Sequence, residues 1–306
     1  MKNVQVDYHT FIFNINAEYT NATIKDYLFA ADFSAALLRR IKVKGKVFLN
    51  NQESPLYKNI RGGDVLLVDI GRETLNIGPE DQKITIVFED DDLLVINKKP
   101  FVVTHPVRRY PTGTLANGVA FYLQKQGIET NVRFINRLDK NTSGLVLVSK
   151  NLYAHEFIQK QFRARIAVKK YWAVVSGNPV PPTGIIKAPI AREEQRSIVR
   201  LVREDGQEAV THYKILEEFQ DTSLVELTPK TGRTHQLRVH LSYLGHPILG
   251  DDLYNPEVSA LINRQALHAK EIGFFHPRAR EWMVIRGDLQ EDIAHLILQL
   301  KENGYT

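Results

Sequence analysis

Between residues 84 and 228 the chain places many β-rich runs close together, with few helical patterns between them. The runs lie at about 84–88, 93–97, 168–177, 185–190, 197–203, 209–217 and 222–228. Apolar residues at helical spacing interrupt them at two places, after Thr114 and over 151–164. Many strands with few helices between them are typical of an α+β fold. The sequence therefore predicts a mixed, largely antiparallel central sheet with helices around it.

The segment before this sheet differs in character, and we expect it to form a domain of its own. Residues 22–44 carry apolar side chains at helical spacing and predict one helix. The region from Arg39 to Arg61 is basic, with Glu53 as its single acid. Its cations are Arg39, Arg40, Lys42, Lys44, Lys46, Lys58 and Arg61. Together these features indicate a surface for phosphates.

The domain boundaries follow from a polar stretch and from the end of the chain. Residues 76–84 are polar and contain a Gly-Pro pair, which is typical of a linker. An amphipathic helix with apolar residues from Ile293 to Leu300 closes the chain. We predict a small basic domain over 1–75, a linker over 76–84 and a second domain over 85–306.

Several classes of site are excluded by residues that the chain lacks. It has no cysteine, which excludes disulfides, thiolate nucleophiles and zinc sites built on cysteine. Two glycine pairs have phosphate-loop spacing, but Val119 and Asp251 follow them where lysine is needed. His235 and His240 are five residues apart, and no acid or cysteine completes a metal site with them. We therefore expect neither a nucleotide cofactor nor a metal.

Charge and hydropathy bound the partners and the compartment. The formal net charge is +5 and the sequence pI is near 9.2, which permits an anionic partner without requiring one. Residues 1–7 lack the apolar core of a secretory signal, and no apolar run approaches the length of a membrane span. We expect a cytoplasmic protein with no membrane partner, acting as a monomer.

One carboxylate stands out because of its setting. Asp139 lies in a short polar stretch between two apolar runs, which predicts a strand, a tight turn and a second strand, Leu145 to Val148. Nearby cations and hydroxyl groups favour the ionised form of such an acid. Asp is also a common turn former, so Asp139 could instead cap the turn and pair with Arg137 or Lys140. The spacing alone leaves both readings open.

A resemblance decides between them. Arg-Leu-Asp-x-x-Thr-Ser-Gly-Leu at 137–145 resembles the signature of the RluA family of RNA pseudouridine synthases, whose aspartate is catalytic. Lys-x-Tyr-x-Ala at 169–173 and Gly-Arg-Thr-His-Gln-Leu-Arg at 232–238 are similar to two further family stretches. Two positions depart from the usual pattern: Asn136, where many members have His, and Gln207, where Lys is usual.

The resemblance implies a cofactor-free isomerase that converts uridine into pseudouridine in structured RNA. It implies Asp139 as the catalytic group, Arg238 as the cation that pairs with it, and Tyr171 as the aromatic residue against the base. The first domain is similar to the small RNA-binding domain of ribosomal protein S-four. The residues expected to bind RNA are Arg39, Arg40, Lys42, Lys44, Lys46, Arg108, Arg137, Lys169, Arg233, His235 and Gln236.

The expected substrate is large-subunit ribosomal RNA, because the two-domain layout resembles family members that act there. Transfer RNA stays open as a second substrate. The alternative is a non-catalytic RNA-binding or ribosome-associated protein that keeps the synthase fold, a reading supported only by Asn136 and Gln207. Which uridine is modified is not readable from the sequence.

Overall fold

The computed structural model describes residues 7–195, 197–255 and 261–303. These residues form two large sheets, and each sheet has a separate hydrophobic core. The expected domain ends at 1–6 and 304–306 lie outside the described residues. Within the described ranges, no helix is long and apolar enough to cross a bilayer.

The N-terminal part is a four-stranded antiparallel sheet, in the order β1-β4-β2-β3, that packs on two helices. Its elements are β1 (Thr10–Asn14), α1 (Ile24–Ala30), α2 (Ala35–Lys44), β2 (Lys46–Leu49), β3 (Gln52–Glu53) and β4 (Val65–Asp69). The prediction of a single helix over 22–44 is wrong, because two helices, α1 and α2, form there. The chain breaks because Asp32 adopts a left-handed φ of 66° and Ser34 accepts a hydrogen bond from Leu37 N as the cap of α2.

The C-terminal part is built on a ten-stranded sheet. Its strands are β5 (Ile86–Glu89), β6 (Leu93–Lys98), β7 (Arg133–Phe134), β8 (Ser143–Ser149), β9 (Val168–Ser176), β10 (Thr183–Lys187), β13 (Val210–Glu218), β14 (Thr222–Pro229), β15 (Leu267–Phe275) and β16 (Trp282–Arg286), and a separate hairpin adds β11 (Ile190–Arg192) and β12 (Arg200–Val202). Its helices are α3 (Leu115–Lys125), α4 (Leu152–Arg163), α5 (Gln236–Tyr243) and α6 (Glu291–Asn303).

The strand order is β10-β13-β14-β9-β15-β8-β6-β5, with β16 beside β15 and β7 beside β8. The pair of β15 with β8 is parallel, and the other pairs are antiparallel. The prediction of a mixed, largely antiparallel sheet is confirmed. Helices α3, α5 and α6 cover one face and α4 covers the other, so the inner strands β6 and β8 are buried on both sides.

The expected tight turn is present at residues 139–142, where Thr142 N donates to Asp139 O at 3.2 Å, but it forms the end of a longer loop. Strands β7 and β8 pair at Phe134 and Val148, which leaves residues 135–142 as the connection. Gly144 follows this loop at a φ of +109°, and a Cβ there would lie 2.4 Å from the carbonyl oxygen of Ala269. Glycine is therefore required where β8 passes against β15.

The expected linker lies against the C-terminal core. Leu75, Ile77 and Ile84 pack on that core, and Asn117 Nδ2 donates to Gly78 O at 2.8 Å. At the other side of the N-terminal sheet, the Tyr153 ring of α4 packs into the N-terminal core. These contacts hold the N-terminal part in a defined position on the C-terminal part.

Candidate active site

A cleft of about 710 Å³ opens beside the 135–142 loop, β9 and the segment that leads into α5. Its basic lining residues are Arg137, Lys140, Arg163, Arg165, Lys169, Lys230, Arg233 and Arg238. Among the described lining residues, Asp139 is the single acid. The cleft therefore combines a strongly positive surface, suited to a polyanion, with one carboxylate at its floor.

Asp139 is reachable and not locked into the turn. Its side chain is 35% exposed, and its Oδ2 lies 3.8 Å from Arg238 Nη1 and 4.0 Å from His235 Nε2. Lys140, one of the two partners expected in the capping interpretation, instead donates from Nζ to Tyr110 Oη at 3.1 Å. Two groups from α5 and its start thus face this carboxylate, at distances just beyond a hydrogen bond.

Arg238 has a different main partner from the one predicted. Its Nε and Nη2 donate to Asp251 at 2.7 and 2.6 Å, and both side chains are buried. Burial disfavours the charge of Arg238, but the hydrogen bonds and the negative charge of Asp251 outweigh it and raise its pKa. Asp251 therefore occupies Nε and Nη2, and the predicted ion pair with Asp139 is made by Nη1 alone, at 3.8 Å.

Tyr171 lines the cleft from β9, where it is opposite Leu227 of β14 and Ala269 of β15. Its side chain is almost fully buried. Burial raises the pKa of its hydroxyl above the usual value of about 10, and the nearby charge of Asp139 raises it further. At neutral pH the residue is therefore a phenol with an aromatic ring at the cleft wall.

Two buried cations, Lys98 and Arg264, donate hydrogen bonds to the Asp139 loop, and the sequence analysis did not identify them. Lys98 Nζ donates to the carbonyl oxygens of Lys99, Val102 and Lys140 at 2.9–3.0 Å. Burial and the neighbouring Arg264 lower its pKa to about 7. A lysine at the end of a buried strand, as Lys98 is at the end of β6, is the one sequence signal that could have identified this residue.

Arg264 is the second of these cations, and it joins the loop to the C-terminal helix. Its Nη1 donates to Asn141 O at 3.0 Å, and its Nη2 donates to Ser143 Oγ at 3.2 Å. Its guanidinium also binds both oxygens of Asp292 in α6, at 2.6 and 2.8 Å. Helix α6 therefore contributes to the position of the loop.

The departure at Asn136 has a structural explanation. Asn136 is buried; its Nδ2 donates to Leu145 O at 3.0 Å, and its Oδ1 accepts from Leu147 N at 2.8 Å. The amide thus satisfies both backbone groups of β8 with an uncharged side chain. A charged residue is not required for this task.

The segment before α5 is ordered by side chains that the sequence placed in the site. Gln236 accepts from Thr231 Oγ1 and donates to Val210 O, at 2.7 and 3.0 Å. It also accepts from Arg233 N and donates to Thr211 Oγ1. The prediction that Gln236 binds RNA is therefore wrong as a direct contact, because its amide is buried and fully engaged.

His235 begins α5 in a left-handed conformation, with φ of 56°. Its Nδ1 lies 2.8 Å from Tyr254 Oη, which also accepts from Arg200 N at 2.9 Å. Burial lowers the pKa of His235, although the charge of Asp139 opposes this effect. Asp251 belongs to the Gly-Asp pair at 250–251 and Tyr254 follows it by three residues, yet the sequence analysis assigned neither a role.

The other residues predicted to bind RNA fall into two places. Arg137, Lys169 and Arg233 line the cleft, whereas Arg108 does not. Burial lowers the pKa of Lys169. On the N-terminal part, the exposed cations at the end of α2 and the start of β2 are Arg39, Lys42, Lys44 and Lys46.

Arg40 is unsuited to the role predicted for it. Its guanidinium donates to the carbonyl oxygens of Ile70, Gly71 and Arg72 and lies 3.4 Å from Glu73. The expectation of a free phosphate-binding cation at Arg40 is wrong, because this side chain ties α2 to the segment after β4.

Within 7–195, 197–255 and 261–303, no three side chains of His, Cys, Asp or Glu lie together in a way that could hold a metal ion.

The chain is similar to a family of known proteins. Residues 92–243 match the family model described as RNA pseudouridylate synthase. The chain is 40% identical over 277 residues to an uncharacterized RNA pseudouridine synthase (YlyB) of Bacillus subtilis, a match covering 89% of this chain and 91% of that protein. It is 34% identical over 287 residues to ribosomal large subunit pseudouridine synthase D of Xanthomonas campestris pv. campestris, covering 89% and 86%.

Among solved structures, the chain is similar to human RNA pseudouridylate synthase domain containing 4. The TM-score is 0.60 at 28% identity, over 71% of this chain and 93% of that chain. The residue range matched by the family model contains Asp139, Tyr171 and Arg238.

Proposed function

The chain belongs to the RluA family of RNA pseudouridine synthases, and on that basis we propose that it isomerises uridine in large-subunit ribosomal RNA with Asp139 as its catalytic residue. The observation that carries the catalytic assignment is the position of Asp139. It is the one acid lining the described part of a cationic cleft, exposed at the floor with Arg238 and His235 facing it.

The reaction requires little beyond positioning and one carboxylate. The bond from ribose carbon 1 to uracil nitrogen 1 breaks, the base rotates, and a bond to carbon 5 forms. The hydrogen of carbon 5 is lost and nitrogen 1 gains one, so nothing is oxidised and nothing is added. Asp139 can attack the sugar carbon or remove a sugar proton, and both routes need the ionised carboxylate.

Arg238 lies beside Asp139 without a hydrogen bond to it. Asp251 holds the guanidinium in place, and its remaining Nη1 at 3.8 Å contributes positive charge beside Asp139 Oδ2. Because the pair is not in hydrogen-bond contact, the carboxylate oxygen stays available to the sugar.

His235 is the second group that faces this oxygen, with its Nε2 4.0 Å from Asp139 Oδ2. Its Nδ1 lies 2.8 Å from Tyr254 Oη, which accepts from Arg200 N. In this arrangement His235 helps to orient Asp139 and gives little charge, since burial lowers its pKa.

Tyr171 provides the surface for the base. Its ring at the cleft wall can stack on uracil, an interaction of about 1–3 kcal/mol. A uridine in a helix cannot reach Asp139, so the nucleotide must leave the stack, at a cost of a few kcal/mol. Phosphate contacts from Arg137, Lys169 and Arg233 would offset that cost.

Two observations support ribosomal RNA as the substrate. Several relatives at 33–34% identity are named ribosomal large subunit pseudouridine synthase D. The exposed basic end of α2 adds a second phosphate-binding surface, held on the catalytic part by Tyr153 and its neighbours. No observation favours the non-catalytic alternative, because Asn136 has a structural task.

Mapping pseudouridine in ribosomal and transfer RNA tests the substrate assignment. RNA from cells lacking this protein should miss one or more pseudouridines in the large-subunit RNA. Wild-type protein should restore them, and Asp139→Asn should not. Loss confined to transfer RNA would refute the substrate, and no lost pseudouridine in either RNA would refute the proposal as a whole.

A further inference from the structure

A second, smaller pocket adjoins the catalytic cleft. It has a volume of about 410 Å³ and lies between the β11–β12 hairpin, the 205–207 turn and the 232–234 segment. The 232–234 segment also lines the cleft, so the two spaces share a wall. The pocket is therefore next to the space that a base would enter.

Three arginines line this pocket, and backbone carbonyls fix each of them. Arg192 Nη1 donates to Gln195 O at 2.6 Å, and Arg233 Nε donates to Glu208 O at 3.0 Å. Arg200 Nη1 is shared by the carbonyl oxygens of residues 197–199 at 3.0–3.1 Å. Each guanidinium has five N–H donors, so each keeps donors for a ligand.

Within the described part of the chain, no acidic side chain forms an ion pair with these arginines. No carboxylate there lies within ion-pair distance of Arg192, Arg200 or Arg233. The acid that lines the pocket, Asp205, pairs with Arg203 at 2.5 Å. Three ordered guanidinium groups in one concavity without a counter-ion are suited to bind phosphate oxygens.

We propose that this pocket binds a backbone phosphodiester of the RNA strand that carries the target uridine. The inference rests on the proposed function for the nature of the ligand. It also accounts for Gln207, which stands where a lysine is usual. The backbone of Gln207 pairs with Ile190 through two hydrogen bonds of 2.9 Å, and the hairpin supplies the cations instead.

The pocket is connected to Asp139 by a short chain of contacts. Arg200 N donates to Tyr254 Oη, and Tyr254 contacts His235, which faces Asp139. Tyr254 and Val202 also pack together with the hydrophobic cluster around Ile190 and Val239. A phosphate on Arg200 would thus fix the hairpin against the residues that orient the catalytic carboxylate.

The salt dependence of RNA binding tests this site. The probe is fluorescein-labelled decauridylate bound to the full chain, from about 50 to 200 mM salt. For a single strand, each lost phosphate contact should reduce the slope of log K against log salt by about 0.7. We expect this reduction for Arg192→Gln and for Arg200→Gln.

Two further variants make the result specific. Arg286→Gln is the control, because Arg286 is also an exposed, paired arginine but binds Glu271 and lines neither pocket, and its slope should equal that of wild type. Arg200→Lys keeps the charge while losing the carbonyl contacts of the guanidinium. It should keep most of the wild-type slope, whereas a slope as low as that of Arg200→Gln would indicate that hairpin structure, not charge, is responsible.

Turnover separates this inference from the proposed function. In tritium release from uridine-labelled ribosomal RNA, Arg192→Gln should raise KM and leave kcat close to wild type. Wild-type slopes for Arg192→Gln and Arg200→Gln would overturn the phosphate site even if the enzyme is active. Absence of tritium release by wild type would overturn the proposed function, while a reduced slope would still establish a phosphate contact.

Discussion

Replacing Asp251 by Asn should damage both the stability of this enzyme and its turnover. Asp251 is fully buried, and its two oxygens accept from Arg238, whose side chain is only 5% exposed. The substitution keeps the shape of the side chain but leaves a buried guanidinium without its counter-ion. Breaking a buried ion pair on one side costs about 3–5 kcal/mol. That is a large part of a typical free energy of unfolding of about 5–15 kcal/mol.

The effect on turnover has a different origin. Without Asp251, the nearest remaining buried or half-buried carboxylate is Asp139, 3.8 Å from Arg238 Nη1. The guanidinium should move onto it and occupy the oxygen that the sugar needs. Misplacement of a reacting group by about 1 Å can cost about a hundredfold in rate, so we expect kcat to fall by that order.

Urea denaturation followed by tryptophan fluorescence, together with tritium release, measures both effects. The control is Asp252→Asn, which removes a carboxylate 3.5 Å from the same guanidinium but 73% exposed. Its effect should stay within about 1 kcal/mol. If Asp251→Asn and Asp252→Asn unfold at the same urea concentration with equal kcat, the account of Arg238 is refuted.

Three further predictions concern the stability of the fold and the support of the Asp139 loop. Burial lowers the pKa of His268 to about 3, below the 6.5 of an unfolded chain, so the unfolded state takes up the proton first as the pH falls. The free energy of unfolding should therefore drop below pH 6.5 by up to about 1.4 kcal/mol per pH unit, and urea midpoints for His268→Gln should fall less steeply. Gly144→Ala should destabilise by about 1–3 kcal/mol or more in the same assay, because the methyl group would meet Ala269 O; a wild-type midpoint would disprove the close approach. Lys98→Met removes the hydrogen bond to Lys140 O in the Asp139 loop and those to Lys99 O and Val102 O, and it should lower kcat by up to about a hundredfold with unchanged RNA affinity; an unchanged kcat would show that Lys98 does not position the loop.

Much of the fold could be predicted because it depends on local patterns. The hairpin of β5 and β6 and the helices α3, α4 and α6 follow from apolar periodicity and turn residues. The prediction of a single helix over 22–44 was wrong because apolar periodicity does not reveal that Asp32 has a left-handed backbone or that Ser34 caps a second helix. The loop at 135–142 appeared as a tight turn because the pairing of Phe134 with Val148 is non-local.

The site could likewise be predicted where it depends on continuous stretches of sequence, and not where it depends on distant contacts. The motif around Asp139 and the segment ending at Arg238 could be identified as short continuous stretches, and the structure brings them to one cleft. The partner of Arg238 could not, because Asp251 is thirteen residues away and its carboxylate meets the guanidinium only after α5 and the next turn fold together. Lys98 and Arg264 are further still in sequence and act through backbone carbonyls, which carry no residue-type signal.

The RNA-binding residues were the hardest to predict individually. Lysine and arginine are common on any surface, so a basic stretch identifies a region and not a contact. Arg40 illustrates the problem, since its neighbours at the end of α2 are exposed while its own donors are bound to carbonyl oxygens. The uncompensated charges of Arg192 and Arg200 appear only when the ion pairs of the folded chain are known.

The most direct test of the central claim is tritium release from RNA labelled at uridine carbon 5, with wild type compared to Asp139→Asn. The labelled hydrogen must leave when carbon 5 becomes the glycosidic carbon. The RNA should come from cells lacking this protein, and its binding to both proteins should be measured in parallel. We predict release by wild type, none by Asp139→Asn, and similar RNA affinity for the two. Release by Asp139→Asn within a few-fold of wild type would contradict the assignment of Asp139 as the catalytic residue.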